Sequence, residues 1–368
     1  MDIPTVAPRY APQPEGVAWP VEDWPTGEAS SALAAAADAA FSDPDLGVTN
    51  AVLVVRGGRL VYERYGGVIE FFDRAAEPVG PESALLSWSM AKSILHLGLG
   101  QLVEAGRLDP VGLAPVPAWT AEGDPRATIR VADLLAMRDG LGFVEVYEIG
   151  QSSHVIDMLF GEGKDDVARY AASIPLAHAP GTVFNYSSGT TNILSGIVAD
   201  LVGRHDDYRA FLEESIFGPL AMTSASPGFD AAGTFIASSY VHATARDFAK
   251  FGLCYLRGGV FAERQLVTRD WTDTAQVPLS VDVESGHFYS WQWWVTGDAY
   301  GTYWASGYEG QSISVVPGLD ALVLRFGHTS DEHYPDLYRW RAGVLEALSE
   351  TTVVGEAEVD GAKESLEG

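Results

Sequence analysis

The chain has 368 residues with 50 acidic against 23 basic side chains, a formal charge of −27 and 47% hydrophobic residues. That is a globular composition long enough for more than one lobe, and its acidic surplus argues against nucleic acid or an anionic membrane surface as a partner. The single cysteine, Cys254, excludes an internal disulfide framework, and no apolar run reaches the roughly 18 residues of a membrane span.

Residues 1–28 are proline-rich and read as an extended arm. Their start, MDIPTVAPRYAPQPEGVAWP, has no basic stretch followed by an apolar one, so the expected location is cytoplasmic. Ser30 to Phe41 is alanine-rich and helical. Asn50 to Tyr65 holds two β-branched runs around Gly57 and Gly58, a hairpin. From 111 to 235, helical patterns are separated by Gly and Pro loops, giving a mostly helical lobe. Two more helices follow, in SYVHATARDFAKFGLCYLRGG and RQLVTRDWTDTA. Four strand-like runs, HFYSWQWWVT, YGTYWAS, QSISVVP and ALVLRFG, then form an antiparallel meander, and YPDLYRWRAGVLEALSE closes the chain as an amphipathic helix. Residues 351–368 are acidic and aperiodic, a disordered tail. The hairpin and the meander belong to one sheet. The expected layout is therefore α/β (α+β): one lobe in two parts, 29–110 and 236–350, with the helical lobe 111–235 inserted.

Between the hairpin and the helical lobe lies SWSMAKSILHLGLGQLVEAG, a helix opening near Ser89 and stopping at Gly106. Its apolar residues fall on every side of a 3.6-residue repeat, so it is buried all round, and Lys92, its only charge before Glu104, goes inside with it. Desolvation lowers a lysine's pKa and makes it a base. Three residues apart on a helix, Ser89 and Lys92 stand side by side, and Ser89 occupies the first turn, where free N–H groups favour an oxyanion. This is the geometry of a Ser-Lys nucleophile pair; the alternative is a surface serine beside a snorkelling lysine.

Other features read either way. In GTVFNYSSGTTN, Tyr186 is a proton relay or a loop tyrosine beside helix-capping Ser187 and Ser188. In WASGYEGQ, Gly307 and Gly310 allow a close backbone approach to a site, or only a bend. Most of Trp291, Trp293, Trp294 and Trp304 serve packing, as does Cys254, and His96, one turn beyond Lys92, reads as a core histidine. His328 and His333 lack ligand spacing, so no metal is expected.

With Ser89-Met-Ala-Lys92, Tyr186-Ser-Ser188 and Ser306-Gly307-Tyr308 in that order, the chain resembles the penicillin-recognising serine hydrolases of the class C β-lactamase branch. The resemblance covers about residues 48 to 348, through ATIRVADLLAMRDGL, PLAHAPGTVFNYSSGTTNILSGIVADLVG and SGYEGQSISVVPGLDALVLRFG. In motif style it is nearest the 6-aminohexanoate-dimer (nylon-oligomer) hydrolases and related carboxylesterases. It implies a β-lactamase/transpeptidase-like fold, Ser89 as nucleophile, Lys92 as base, Tyr186 as relay, an oxyanion hole from the N–H groups of Ser89 and Tyr308, and no cofactor. It also places Tyr147 and Glu145 of GFVEVYEIG beside the cleft, and Ser188 and Gly307 within it, as substrate-binding residues.

Two departures narrow the substrate. Tyr-x-Asn of the β-lactamases is here Tyr186-Ser187-Ser188, and Lys-Thr-Gly is Ala305-Ser306-Gly307, which removes the cation for a substrate carboxylate. A charge-assisted contact of that kind is worth about 1.5–3 kcal/mol. The expectation is a serine hydrolase acting on a small-molecule ester or linear amide. A β-lactamase or DD-peptidase, and a non-catalytic binding or regulatory protein on the same fold, are the alternatives.

Overall fold

The computed structural model describes residues 3–70, 75–147 and 151–364, with side chains described to residue 350. Alternation builds the sheet. In β1 (Val48–Arg56), Ala51, Leu53 and Val55 enter one core while Val52 and Val54 enter another. β1 pairs with β2 (Arg59–Tyr65) as the expected hairpin. The second part of the sheet comprises β3 (Ser280–Val281), β4 (Phe288–Tyr289), β5 (Trp294–Val295), β6 (Tyr303–Gly307), β7 (Gln311–Val316) and β8 (Ala321–His328). The spatial order is β3-β4-β5-β6-β7-β8-β1-β2, antiparallel throughout, so β8 against β1 joins the meander to the hairpin as expected.

The helices are α1 (Ser31–Asp38), α2 (Met90–Glu104), α3 (Val131–Leu135), α4 (His154–Phe160), α5 (Val167–Ser173), α6 (Ser188–Val202), α7 (Asp206–Leu212), α8 (Ala245–Leu256), α9 (Arg269–Asp273) and α10 (Tyr334–Glu364). α2 and α8 cover one face of the sheet over the larger core, which continues into α3 to α7. α1 and α10 cover the other face over a smaller core of Leu33, Val52, Val54, Leu337, Val344 and their neighbours. The arm lies on the body: Ala11 N–H donates to Leu256 O and Leu60 N–H to Pro25 O, and Trp24 is buried.

Two elements differ from the sequence reading. HFYSWQWWVT is not one strand: it breaks between β4 and β5 at Gln292, whose φ is 59°. Gln292 is held there by tertiary contacts, its amide donating to Leu134 O and Leu135 O and accepting from Thr191 Oγ1. The carbonyl of Gln292 also receives the hydroxyl of Ser93 from α2, so this bend ties three helices to the sheet. The closing helix α10 runs past residue 350 into the segment read as aperiodic, where Glu and Ala favour helix. Residues 365–368 of the expected tail lie outside the described residues.

Candidate active site

Ser87 fixes the entry to α2. Its N–H donates to Val241 O at 2.8 Å, extending the pairing of Leu85–Leu86 with Val241–Ala243, and its hydroxyl accepts from Val241 N–H. Trp88 then takes φ 44°, a left-handed conformation costly for a bulky residue, and the N–H groups of Met90, Ala91 and Lys92 bond back to Ser87 O, Trp88 O and Ser89 O over a tight first turn. An N-cap serine ordinarily spends its oxygen on an N–H of the first turn. Ser89 does not: its backbone is helical and its hydroxyl caps nothing. That oxygen is free for Lys92.

Lys92 is 1% exposed, as the all-round apolar helix requires. Its Nζ lies 2.8 Å from Ser89 Oγ, 3.0 Å from Ser188 Oγ and 3.1 Å from Ser238 O, and 4.9 Å from the centre of the Tyr186 ring. Among the described residues no carboxylate reaches it within ion-pair distance. Burial therefore pulls its pKa down to about 8, partly opposed by the more distant charge of Glu145.

Glu145 organises the other side. Its carboxylate accepts from Ser188 N–H, from Ser188 Oγ at 2.9 Å and from Tyr147 Oη at 2.7 Å. Ser188 opens α6 and so links this carboxylate to Lys92. The Tyr186 hydroxyl interacts with the Ser89 side chain, and its ring packs on Tyr289 and Trp294. Burial first, and then Glu145, push its hydroxyl well above the ordinary tyrosine range. Lys92 and Tyr186 are thus driven apart, the amine toward the free base and the phenol toward the protonated donor.

β6 brings the second oxyanion candidate. Gly307 passes so close to the Ser87 carbonyl that a Cβ there would run into its oxygen, and this contact brings the end of β6, with Tyr308 next in the chain, against the entry to α2. Arg325, wholly buried in β8, holds the turn that follows by donating to Glu309 O and Gly310 O on one side and Leu46 O and Val48 O on the other. The Tyr308 ring stacks on Tyr147 at 4.6 Å and meets Trp88 edge-on at 5.6 Å, an aromatic rim to the cleft.

Ser89, Lys92, Tyr186, Ser188, Tyr147, Glu145, Gly307 and Tyr308 therefore converge. Within this set Ser188 and Glu145 spend their polar atoms on Lys92 and on one another. Residues 148–150 of GFVEVYEIG lie outside the described residues. His96 is a core residue, bonded to Tyr255 Oη and Thr274 Oγ1, stacked on Trp271, and pushed by burial down to about 3. Cys254 is buried as expected. Sequence reasoning missed Trp88, Arg325, Ser238 and Asn192, whose amide holds Ser238 in place through its hydroxyl and N–H. Only the position of Trp88, directly before Ser89, carried a signal.

Where the β-lactamase lysine would stand, Ala305 is 1% exposed and packed in the larger core. Comparison with known proteins agrees with this geometry. A 6-aminohexanoate-dimer hydrolase of Paenarthrobacter ureafaciens is 26% identical over 322 residues, 82% of this chain and 78% of that one. Esterase EstB of Burkholderia gladioli is 28% identical over 208 residues, 52% of this chain and 51% of that one. Among solved structures, a Bacillus anthracis protein proposed to be a 6-aminohexanoate-dimer hydrolase superposes with a TM-score of 0.72 at 20% identity, covering 93% of this chain and 92% of that one. The beta-lactamase family model matches residues 46–347, most of the chain and every residue of the site, and the protein belongs to that family of hydrolases.

Proposed function

We propose that the protein cleaves a small carboxylic ester or linear amide through an acyl-enzyme on Ser89. The observation that carries this reading is the 2.8 Å contact between Ser89 Oγ and a buried lysine without an ion-pair partner among the described residues. With Lys92 neutral, the Ser89 proton moves to Nζ as Oγ attacks the substrate carbonyl. Charge developing on the carbonyl oxygen faces the N–H groups of Ser89 and Tyr308, donors of a kind worth about 3–4 kcal/mol each. The Tyr186 hydroxyl, beside Ser89, delivers a proton to the departing alcohol or amine and takes one back from the water that attacks the acyl-enzyme, while Lys92 returns its proton to Ser89 Oγ as the acyl–oxygen bond breaks. An esterase and a dimer hydrolase among the relatives support this substrate class. Ala305 in the lysine position weighs against carboxylate-bearing β-lactams.

The test is turnover of p-nitrophenyl acetate and butyrate beside nitrocefin and the linear 6-aminohexanoate dimer, with Ser89→Ala as the blank. Ester or dimer cleavage lost in the variant, without nitrocefin cleavage, is the expected result. Nitrocefin turnover would make the protein a β-lactamase, and silence on every substrate would favour a binding protein on this fold.

A further inference from the structure

On the face of the sheet turned away from Ser89, α10 leaves a small recess over β6 and β7. Register puts Trp304 opposite Ser314 and Ser306 opposite Ser312, so these four side chains share that face, while Ala305 and Ile313 enter the core on the other. The recess has a volume of about 20 Å³ and is lined by Trp304, Ser306, Ser312, Tyr338 and Arg341 among others.

Arg341 is the unusual member. It is 8% exposed, and its guanidinium lies 4.3 Å from the centre of the Trp304 ring and 5.3 Å from that of Tyr338. It makes no hydrogen bond or ion pair among the described residues. Burial lowers its pKa to about 10, so it remains a cation at neutral pH. The acidic group whose field reaches it, Asp298, spends a carboxylate oxygen on the N–H groups of Tyr300 and Thr302, at 3.0 Å each. The hydroxyls of Ser306, Ser312 and Tyr338 likewise make no hydrogen bond among the described residues. Beside them, His287 Nδ1 and Ser314 Oγ are buried without a partner.

A buried charge without a counter-ion is expensive, and buried polar groups are ordinarily satisfied. Here one nearly buried guanidinium and three half-buried hydroxyls, without protein partners among the described residues, line a partly open recess with room for about one water. We propose that this recess is a binding site for one monatomic anion, a halide such as chloride, held by Arg341 and by the hydroxyls of Ser306, Ser312 and Tyr338. The anion completes the coordination that the folded chain leaves open: among the described residues no carboxylate pairs with Arg341, and Asp298 acts on it, as Asp282 and Asp331 act on Tyr338, only from a distance. Gly307 and Gly310 line the same recess, so an occupant also braces the strand end that carries the Tyr308 N–H.

The experiment is the chloride NMR linewidth of the full chain, with sodium chloride exchanged for sodium gluconate at constant ionic strength. The expected result is excess broadening that saturates and is reversed by bromide. Arg341→Gln should weaken the apparent affinity about tenfold or more, and Ser306→Ala with Ser312→Ala several-fold. The serine double variant leaves the guanidinium over Trp304, so it decides the matter if Arg341→Gln does not fold. Absence of saturable broadening in the unaltered protein, or unaltered affinity in the folded variants, overturns the site and leaves Arg341 as a packing cation on Trp304.

Discussion

Two lysines are buried among the described side chains, and they are buried in opposite ways. Lys250, on α8, pairs with Asp247 one turn earlier at 2.9 Å and donates to Ala221 O. Lys92, on α2, is surrounded by hydroxyls and one carbonyl, and among the described residues the carboxylate that acts on it is Glu145, behind Ser188. A carboxylate at contact distance holds an ammonium charged and turns it into a structural tie. Hydroxyl oxygens stabilise that charge less, so burial is only partly compensated and the amine becomes a base near neutral pH. What separates a structural lysine from a chemical one here is the partner, since depth is the same.

Exchanging each lysine for methionine is the strongest way to break that contrast. Lys92→Met should cost about 10⁴-fold in kcat, as should Ser89→Ala, and the double variant should be little worse than either, because members of one nucleophilic unit are not additive. Fluorophosphonate labelling of Ser89 should disappear in parallel. Lys250→Met should leave kcat per folded molecule unchanged while lowering stability by about 3–5 kcal/mol, since it strands a buried Asp247. Urea unfolding measured beside initial rates checks both. Activity lost with Lys250, or retained without Lys92, would invert the assignment.

The contrast also requires an acceptor for the negative charge that Lys92 creates. Gly307→Ala forces the Cβ against the Ser87 carbonyl oxygen, which on the proposed mechanism displaces the Tyr308 N–H from the developing oxyanion. The expected loss is about 10²-fold, read in kcat rather than KM, because the contact tightens only as charge develops.

A smaller effect sharpens the partner argument by pH. The proposed mechanism needs Lys92 neutral, and burial brings its pKa to about 8, so kcat/KM should rise with pH and level off above that value. Glu145 raises the pKa of Lys92, and Glu145→Gln should therefore move the rising limb to lower pH. A limb that moved upward would mean that the amine is controlled by something other than the carboxylate behind Ser188.

Much of this was legible because it is periodic. An apolar repeat on all sides of α2 announced that Lys92 is buried, and the three-residue spacing placed Ser89 against it. Alternation in the hairpin and in the runs that became β6 to β8 predicted a shared sheet. The partners that matter most to Lys92 carried no local pattern: Ser188 and Ser238 arrive from 96 and 146 residues away, and a serine hydroxyl or a backbone carbonyl is not distinctive in sequence. The bend at Gln292 was hidden for a related reason. No glycine or proline marks it, and its positive φ is held by hydrogen bonds to Leu134, Leu135 and Thr191, which only the fold brings near. Arg325 sat inside a run that read as an ordinary strand, and its role appears only when the carbonyls around its guanidinium are known.

The mildest prediction concerns Tyr147, where the tyrosine ring and its hydroxyl do different things. The ring stacks on Tyr308 over the cleft, whereas the hydroxyl donates to Glu145 at 2.7 Å. Tyr147→Phe keeps the stack and removes one of three donors to a carboxylate that retains the other two, from Ser188. A lost hydrogen bond of this kind is worth about 1 kcal/mol, so the expected change in kcat is a few-fold, with KM nearly constant if the ring alone meets the substrate. Tyr147→Ala, which removes the stack as well, should raise KM more than it lowers kcat. A loss from Tyr147→Phe as large as that from Ser89→Ala would place the phenol on the reacting atoms and give the relay to Tyr147 instead of Tyr186.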